Sequence, residues 1–185
     1  MTEQLQEIGA RLSALRDIFD ISAEKMAEIM KISVDEYTAY ERGQKDFSFS
    51  FLQNAAQFFN VDVVEIISGE APKLTKCALV RNGEGYDIER RKAYDYKHLA
   101  FTFSNKKAEP FMVSVEPKEG EKPTLHSHDG QEFDYMLSGT MEFHFDNIVY
   151  ELNEGDSVYF DSGVPHAMKA AGNQAAKFLA VVMKG

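Results

Sequence analysis

A single cysteine, Cys77, leaves the chain no internal disulfide and no multi-cysteine zinc knuckle. A reducing, cytoplasmic setting is therefore the simplest expectation. No apolar run approaches the roughly 18–20 residues of a membrane span, and the opening MTEQLQEIGA is polar and acidic. Neither a membrane partner nor a secretory leader is expected. Positive charge is scarce: 20 Lys and Arg face 30 Asp and Glu, a formal net of −10. The deficit is concentrated early. Residues 1–70 carry 6 basic and 13 acidic side chains, a net of −7, and residues 71–185 carry 14 and 17, a net of −3. Nucleic acid repels such a chain unless a local basic patch overrides the field. What is plentiful is ordinary for a globular protein: 44% hydrophobic and 27% charged residues exclude wholesale disorder. A length of 185 residues makes one large or two small domains.

The periodicity changes along the chain. Leu5, Ile8, Leu12, Leu15 and Phe19 recur at spacings of three and four, the stripe of an amphipathic helix. Ser22 is placed to cap a second helix carrying Met26, Ile29 and Met30. Ser33-Val34-Asp35-Glu36 reads as a capping box, followed by Tyr37 and Tyr40 as core and Gly43 as a stop. Two more apolar segments, around Phe49–Phe59 and Val61–Ile67, make five short helices in all. Gly69-Glu70-Ala71-Pro72-Lys73 has the composition of a linker. Beyond it the period becomes two. Phe111, Val113 and Val115 alternate with polar neighbours, as do Met141, Phe143 and Phe145, and turn residues such as Gly120, Asp129-Gly130, Ser138-Gly139 and Gly155 recur at short intervals. Many short strands imply a sandwich or barrel. The expected organisation is an all-α domain over 1–68, a linker over 69–76 and an all-β domain over 77–185.

Three features of the first part, namely Gly9 and Arg11 in helix one, Ser22 through Ala27, and Glu41-Arg42-Gly43, together with the helix spacing, resemble the XRE (Cro/repressor-like) helix-turn-helix family. The resemblance implies that the helix at 33–41 enters the major groove of an operator. Ser33, Val34, Asp35 and Ala39 then map to base-reading positions, with Thr38 beside them, and Lys31, Arg42 and Lys45 are the available phosphate partners. None of residues 33–40 is Arg, Lys, Asn or Gln, the types best suited to read base edges. The implied binding is weak, dimer-dependent and sensitive to salt.

The second part carries a denser signal. From Gly120 the chain reads Gly, five residues, His126-Ser127-His128, three residues, Glu132, six residues, Gly139. From Gly155 it reads five residues, Asp161-Ser162-Gly163, two residues, His166. These resemble the two signatures of the cupin family, with Asp161 where proline is usual and Ala170 at the terminal asparagine. The resemblance implies a jelly-roll barrel in which His126, His128, Glu132 and His166 hold a divalent metal. The residue chemistry agrees. Two histidines separated by one residue share a strand face with Cα atoms roughly 6–7 Å apart. Imidazole with carboxylate suits Zn, Fe, Ni, Mn or Cu. If Glu132 points inward, the period of two sends Asp134 and Met136 inward too, so that Asp134 is a candidate to support a ligating histidine or to meet a ligand. Tyr96 and His98 share a strand face with Tyr94 and are candidates for an effector pocket; His144 reads as outward-facing.

Together the two resemblances imply a homodimeric transcriptional regulator that binds double-stranded operator DNA and whose barrel takes a small-molecule effector, with no catalytic residues. The alternative is a metal-dependent cupin enzyme of oxygenase or isomerase type that uses its helical domain for dimerisation.

Overall fold

A computed structural model describes residues 3–90, 94–118 and 122–184. They form two compact units, Met1–Lys73 and Leu74–Gly185. Gly120, which opens the first of the two signatures, lies outside the described residues.

The first unit consists of α1 (Glu3–Ile18), α2 (Ala23–Met30), α3 (Val34–Glu41), α4 (Phe49–Phe59) and α5 (Val63–Ser68). Four of the five starts are fixed by a side-chain cap. Ser22 accepts from the Lys25 amide at 3.2 Å, Ser33 from Glu36 at 3.1 Å, Ser48 from Phe51 at 3.0 Å and Asp62 from Val64 at 2.9 Å. Each cap stabilises its helix by about 1 kcal/mol. The box expected at Ser33 is half formed: the serine caps, but the Glu36 carboxylate is drawn away to the Lys45 ammonium. Lys31, Asn60 and Gly69 end their helices in the left-handed region.

The core is aromatic. Tyr37 and Tyr40 are buried as expected, and Tyr40 stacks on Phe51 at 4.2 Å and on Phe47 at 5.2 Å. Gly9 lets α1 touch α3, since a Cβ there would lie 2.4 Å from the Glu41 carbonyl oxygen. Two arginines of α1 close the unit. Arg16 meets the Glu41 carboxylate at 2.7 Å and the Ile21 carbonyl at 2.9 Å. Arg11 donates to the carbonyls of Ile67 at 2.7 Å and Ile66 at 3.2 Å, at the end of α5.

The second unit is antiparallel β. Its strands are β1 (Tyr86–Arg90), β2 (Tyr94–His98), β3 (Ala108–Val115), β4 (Gln131–Ser138), β5 (Met141–Phe145), β6 (Ile148–Leu152), β7 (Ser157–Asp161), β8 (His166–Ala170) and β9 (Ala176–Met183). Six form a sheet in the order β1-β2-β3-β9-β4-β7, and three form a sheet in the order β6-β5-β8. Strict alternation of burial on β3 and β9 turns Phe111, Val113, Val115, Phe178, Ala180 and Val182 inward. The inner faces meet through Phe143 of β5 and Phe160 of β7, with ring centroids 4.8 Å apart. The Tyr94 hydroxyl of β2 donates to the Met168 carbonyl of β8, a second tie between the sheets. No helix among the described residues is long and apolar enough to cross a membrane.

Candidate functional site

Strand β4 supplies the first donor. Glu132, Asp134 and Met136 alternate inward and are all buried. Strand β4 stays in register with β7 through Gln131–Tyr135, with no bulge at Asp134. Immediately before β4, the Asp129-Gly130 turn brings His128 back over Glu132, and the His128 Nε2 lies 3.0 Å from a Glu132 oxygen. Strand β8 opens with His166, whose Nε2 lies 3.9 Å from the same oxygen. His128, Glu132 and His166 thus offer one ligand atom each within 4.8 Å of one another, and all three are buried.

The other ring nitrogens point away. His166 Nδ1 faces the Val164 carbonyl at 2.9 Å, and His128 Nδ1 faces the Asp129 carbonyl at 3.4 Å. For His166 the contact favours the tautomer in which Nδ1 donates and Nε2 carries the lone pair, as a metal ligand requires. Burial pushes the His166 pKa down, favouring the neutral ring. A buried acidic side chain between two imidazoles fits a divalent first-row ion, with coordination positions left over for water or a ligand.

His126 is not part of this group of three. Its backbone bonds twice to His166, each at 2.9 Å, but the next pairing is His128 to Ser162 at 2.9 Å. The Ser162–Pro165 turn thereby absorbs two residues, so His126 and His128 do not sit on one regular strand. The strand period of two therefore does not by itself set how the two rings face each other.

Asp134 lies behind Glu132 and is 1% exposed. Neither of its oxygens has a hydrogen bond of ordinary geometry among the described residues. Burial, and then the neighbouring Glu132 carboxylate, raise its pKa well above the carboxylate range. Met136 is buried one step further along. On the same inner face of the six-stranded sheet, Tyr96 is half-buried against Tyr94 and Phe111. His98 is fully buried, with Nε2 2.6 Å from Glu109 and Nδ1 accepting from the Ala100 amide at 2.9 Å. Glu109 was not singled out from the sequence. The signal was present, because Glu109 continues by two the stripe of Phe111, Val113 and Val115. His144 is half-buried and meets Glu142 at 3.2 Å.

In the helical unit, Ser33, Val34, Asp35 and Arg42 are exposed around α3, and Thr38 and Ala39 are half-buried. Thr38 returns its hydroxyl to the Val34 carbonyl, and Ser33 is occupied as a cap. Lys31 is exposed at the end of α2, and Lys45 is held by Glu36.

Residues 9–72 match the helix-turn-helix domain family and residues 111–182 the cupin domain family. No curated protein matches the chain in sequence. Among solved structures, the HTH_3 family transcriptional regulator from Vibrio cholerae is similar over 98% of this chain and 97% of its own, at 20% identity and a TM-score of 0.72. The Fe(II) form of HppE is similar over 97% and 100%, at 19% identity and a TM-score of 0.53. Hydroxypropylphosphonic acid epoxidase from S. wedmorenis in complex with fosfomycin is similar over 98% and 100%, at 19% identity and a TM-score of 0.52. At these identities the likeness is one of fold.

Proposed function

The chain belongs to the helix-turn-helix proteins that carry a cupin domain, and from that premise we propose a cytoplasmic, sequence-specific DNA-binding regulator whose β domain senses a small effector at a divalent metal. The observation that carries this reading is the pairing, in one chain, of a capped helix α3 exposed along one side with a buried His128–Glu132–His166 group. The domains run over 1–68 and 77–185, joined by 69–76.

Helix α3 enters the major groove with Ser33, Val34, Asp35, Thr38 and Ala39, while Lys31, Arg42 and Lys45 take phosphates. Two half-sites call for a homodimer. In the β domain His128, Glu132 and His166 hold the metal, and His126, anchored beside His166 by its backbone, adds a fourth donor by turning its side chain. A bound divalent ion supplies a Lewis-acidic centre with open positions for the effector. Asp134 and Met136 form the wall behind Glu132, and Tyr96 and His98 extend the pocket along the same inner face.

A mobility-shift assay at low salt tests this, using DNA from upstream of the protein's own coding region. The protein is assayed after chelation and again after reloading with Zn(II) or Fe(II). A shift that changes with metal supports the reading. No shift in any form removes DNA binding from it.

A second reading, a metal-dependent enzyme, is favoured by one observation: two histidines and one carboxylate leave coordination positions free for substrate and oxygen. Oxygen consumption by the Fe(II)-loaded protein with small organic acids would support that reading and displace the first.

A further inference from the structure

Glu109, Glu132 and Asp134 are buried acids on the inner face of the six-stranded sheet, and the first two are accounted for. Glu109 meets His98 at 2.6 Å and the ammonium groups of Lys106 and Lys184, each at 3.7 Å. Glu132 belongs to the group of three. Asp134 is buried as deeply, yet neither of its oxygens has a hydrogen bond of ordinary geometry. Burying an acid without a partner is costly, and native proteins keep few such groups without a functional reason.

The register shows why the sheet does not supply that partner itself. One row across the inner face runs His98, Phe111, Ala180, Asp134 and Val158, each paired with the next. The side chains of Ala180 and Val158 carry no polar atom, and Phe111 presents only a ring. His98 has both ring nitrogens in use, on Glu109 and on the Ala100 amide. Neighbouring strands lie about 4.8 Å apart, so Phe111 and Asp134 stand roughly 10 Å from each other with the methyl group of Ala180 between them. Charge points the same way. Among the described residues, Lys106 is the one lysine or arginine buried in the β unit, and its ammonium is held by the Phe103 carbonyl at 2.7 Å and by Glu109. An anionic group finds no free buried cation here.

We propose that Asp134 is the recognition residue for a cationic effector, a small aliphatic amine whose ammonium group donates to the Asp134 oxygens. This rests on the effector site proposed above and names the chemical class that enters it. An ammonium brings N–H donors to a pair of acceptors that have none, and a charge-assisted hydrogen bond is the strong kind. Its carbon chain lies over the Ala180 methyl, and the Phe111 ring beside it adds attraction for positive charge. Asp134 and Glu132 have Cα atoms about 7 Å apart along β4, so a hydroxyl at the far end of a short chain reaches the open positions of the metal. A neutral diol of the same length forfeits the charge. A carboxylate in place of the amine is repelled by Asp134.

The test titrates the full chain, saturated with Zn(II), by calorimetry with 3-aminopropan-1-ol, propane-1,3-diol and 3-hydroxypropanoate. The probes share a hydroxyl and a chain length and differ in the charge of the other end. The amino alcohol should bind roughly 10- to 100-fold tighter than the diol, the worth of hydrogen bonds to a charged group. Asp134→Asn keeps the shape and removes the charge, so it should erase that preference while 3-hydroxypropanoate binds no more weakly than to the parent. Zinc is measured in every sample, so that loss of metal is not read as loss of the amine site. Ala180→Val leaves every acid in place and fills the space over the row; it should erase the preference too, and it decides alone if Asp134→Asn fails to fold. An amino alcohol that binds the parent no tighter than the diol overturns the proposal, as does a preference that survives in either folded variant. Such a result beside a metal-dependent shift on DNA leaves the regulator standing without a cationic effector. A preference that vanishes in the variants, in a protein that shifts no DNA, upholds the amine site and removes the regulator.

Discussion

Replacing Gly9 by alanine sets two effects of opposite sign against each other. Gly9 lies mid-way along α1, where helix propensity alone favours alanine by about 1 kcal/mol. Packing opposes it. The added Cβ would sit 2.4 Å from the Glu41 carbonyl oxygen, 2.6 Å from that of Tyr40 and 2.8 Å from the Glu41 carbonyl carbon. All three are backbone atoms, so no side chain can swing aside, and relief requires α1 and α3 to separate by about 1 Å. Over-packing of this kind costs about 1–3 kcal/mol. The same movement stretches the Arg16–Glu41 pair, now at 2.7 Å, and a hydrogen bond to a charged group is worth about 1.5–3 kcal/mol. Subtracting the propensity gain leaves a destabilisation of about 2 kcal/mol, or a fall of about 10 °C in the helical unit's melting temperature. Thermal and urea melts followed by ellipticity at 222 nm measure it. A Gly9→Ala protein that melts at or above the parent temperature would refute the close-approach argument and leave propensity as the only effect at work.

Three further outcomes are expected. Burial, with Glu41 close by, raises the Tyr37 pKa above its ordinary 10.0, so the tyrosine's contribution to stability is complete below pH 10 and is lost as the pH rises beyond it; Tyr37→Phe should flatten that alkaline loss in urea titrations at pH 9 to 11, and an unchanged slope would count against it. Asp134→Ala should leave the β unit folded and lower Zn(II) or Fe(II) affinity by about 10- to 100-fold, read by isothermal titration, as loss of a group supporting a metal ligand does; an unaltered affinity dismisses the role. DNA binding should depend on salt with a log–log slope no steeper than about −5, because Lys31, Arg42 and Lys45 in two subunits offer at most six phosphate contacts; a steeper slope, read by fluorescence anisotropy, would mean that other cations do the binding.

The sequence made the helical unit legible almost to the residue, because its signals are local. Ser22 and Ser33 cap where their spacing places them, and Gly43 follows α3 at a positive φ of 62°. The reach of Glu36 was not legible, since its partner Lys45 lies nine residues on, beyond the helix end. In the β unit the period of two carried Glu132, Asp134 and Met136 to the inner face correctly. It does not extend to His126 and His128, because a period holds only while the strand is regular, and the Ser162–Pro165 turn on the opposite side shifts the pairing there. The buried His98–Glu109 contact joins neighbouring strands and is set by register across the sheet, which one strand's pattern does not contain.

Arg11 gives the helical unit a history as well as a shape. Helix α5 is six residues long, too short to stand by itself in water, and its last carbonyls are gathered by a side chain from the third turn of the first helix. During synthesis, then, α1 emerges early and must wait: until residue 67 clears the ribosome, the guanidinium has no carbonyls to clasp. The headpiece should snap shut late and in a single act, its opening and closing segments ordering each other.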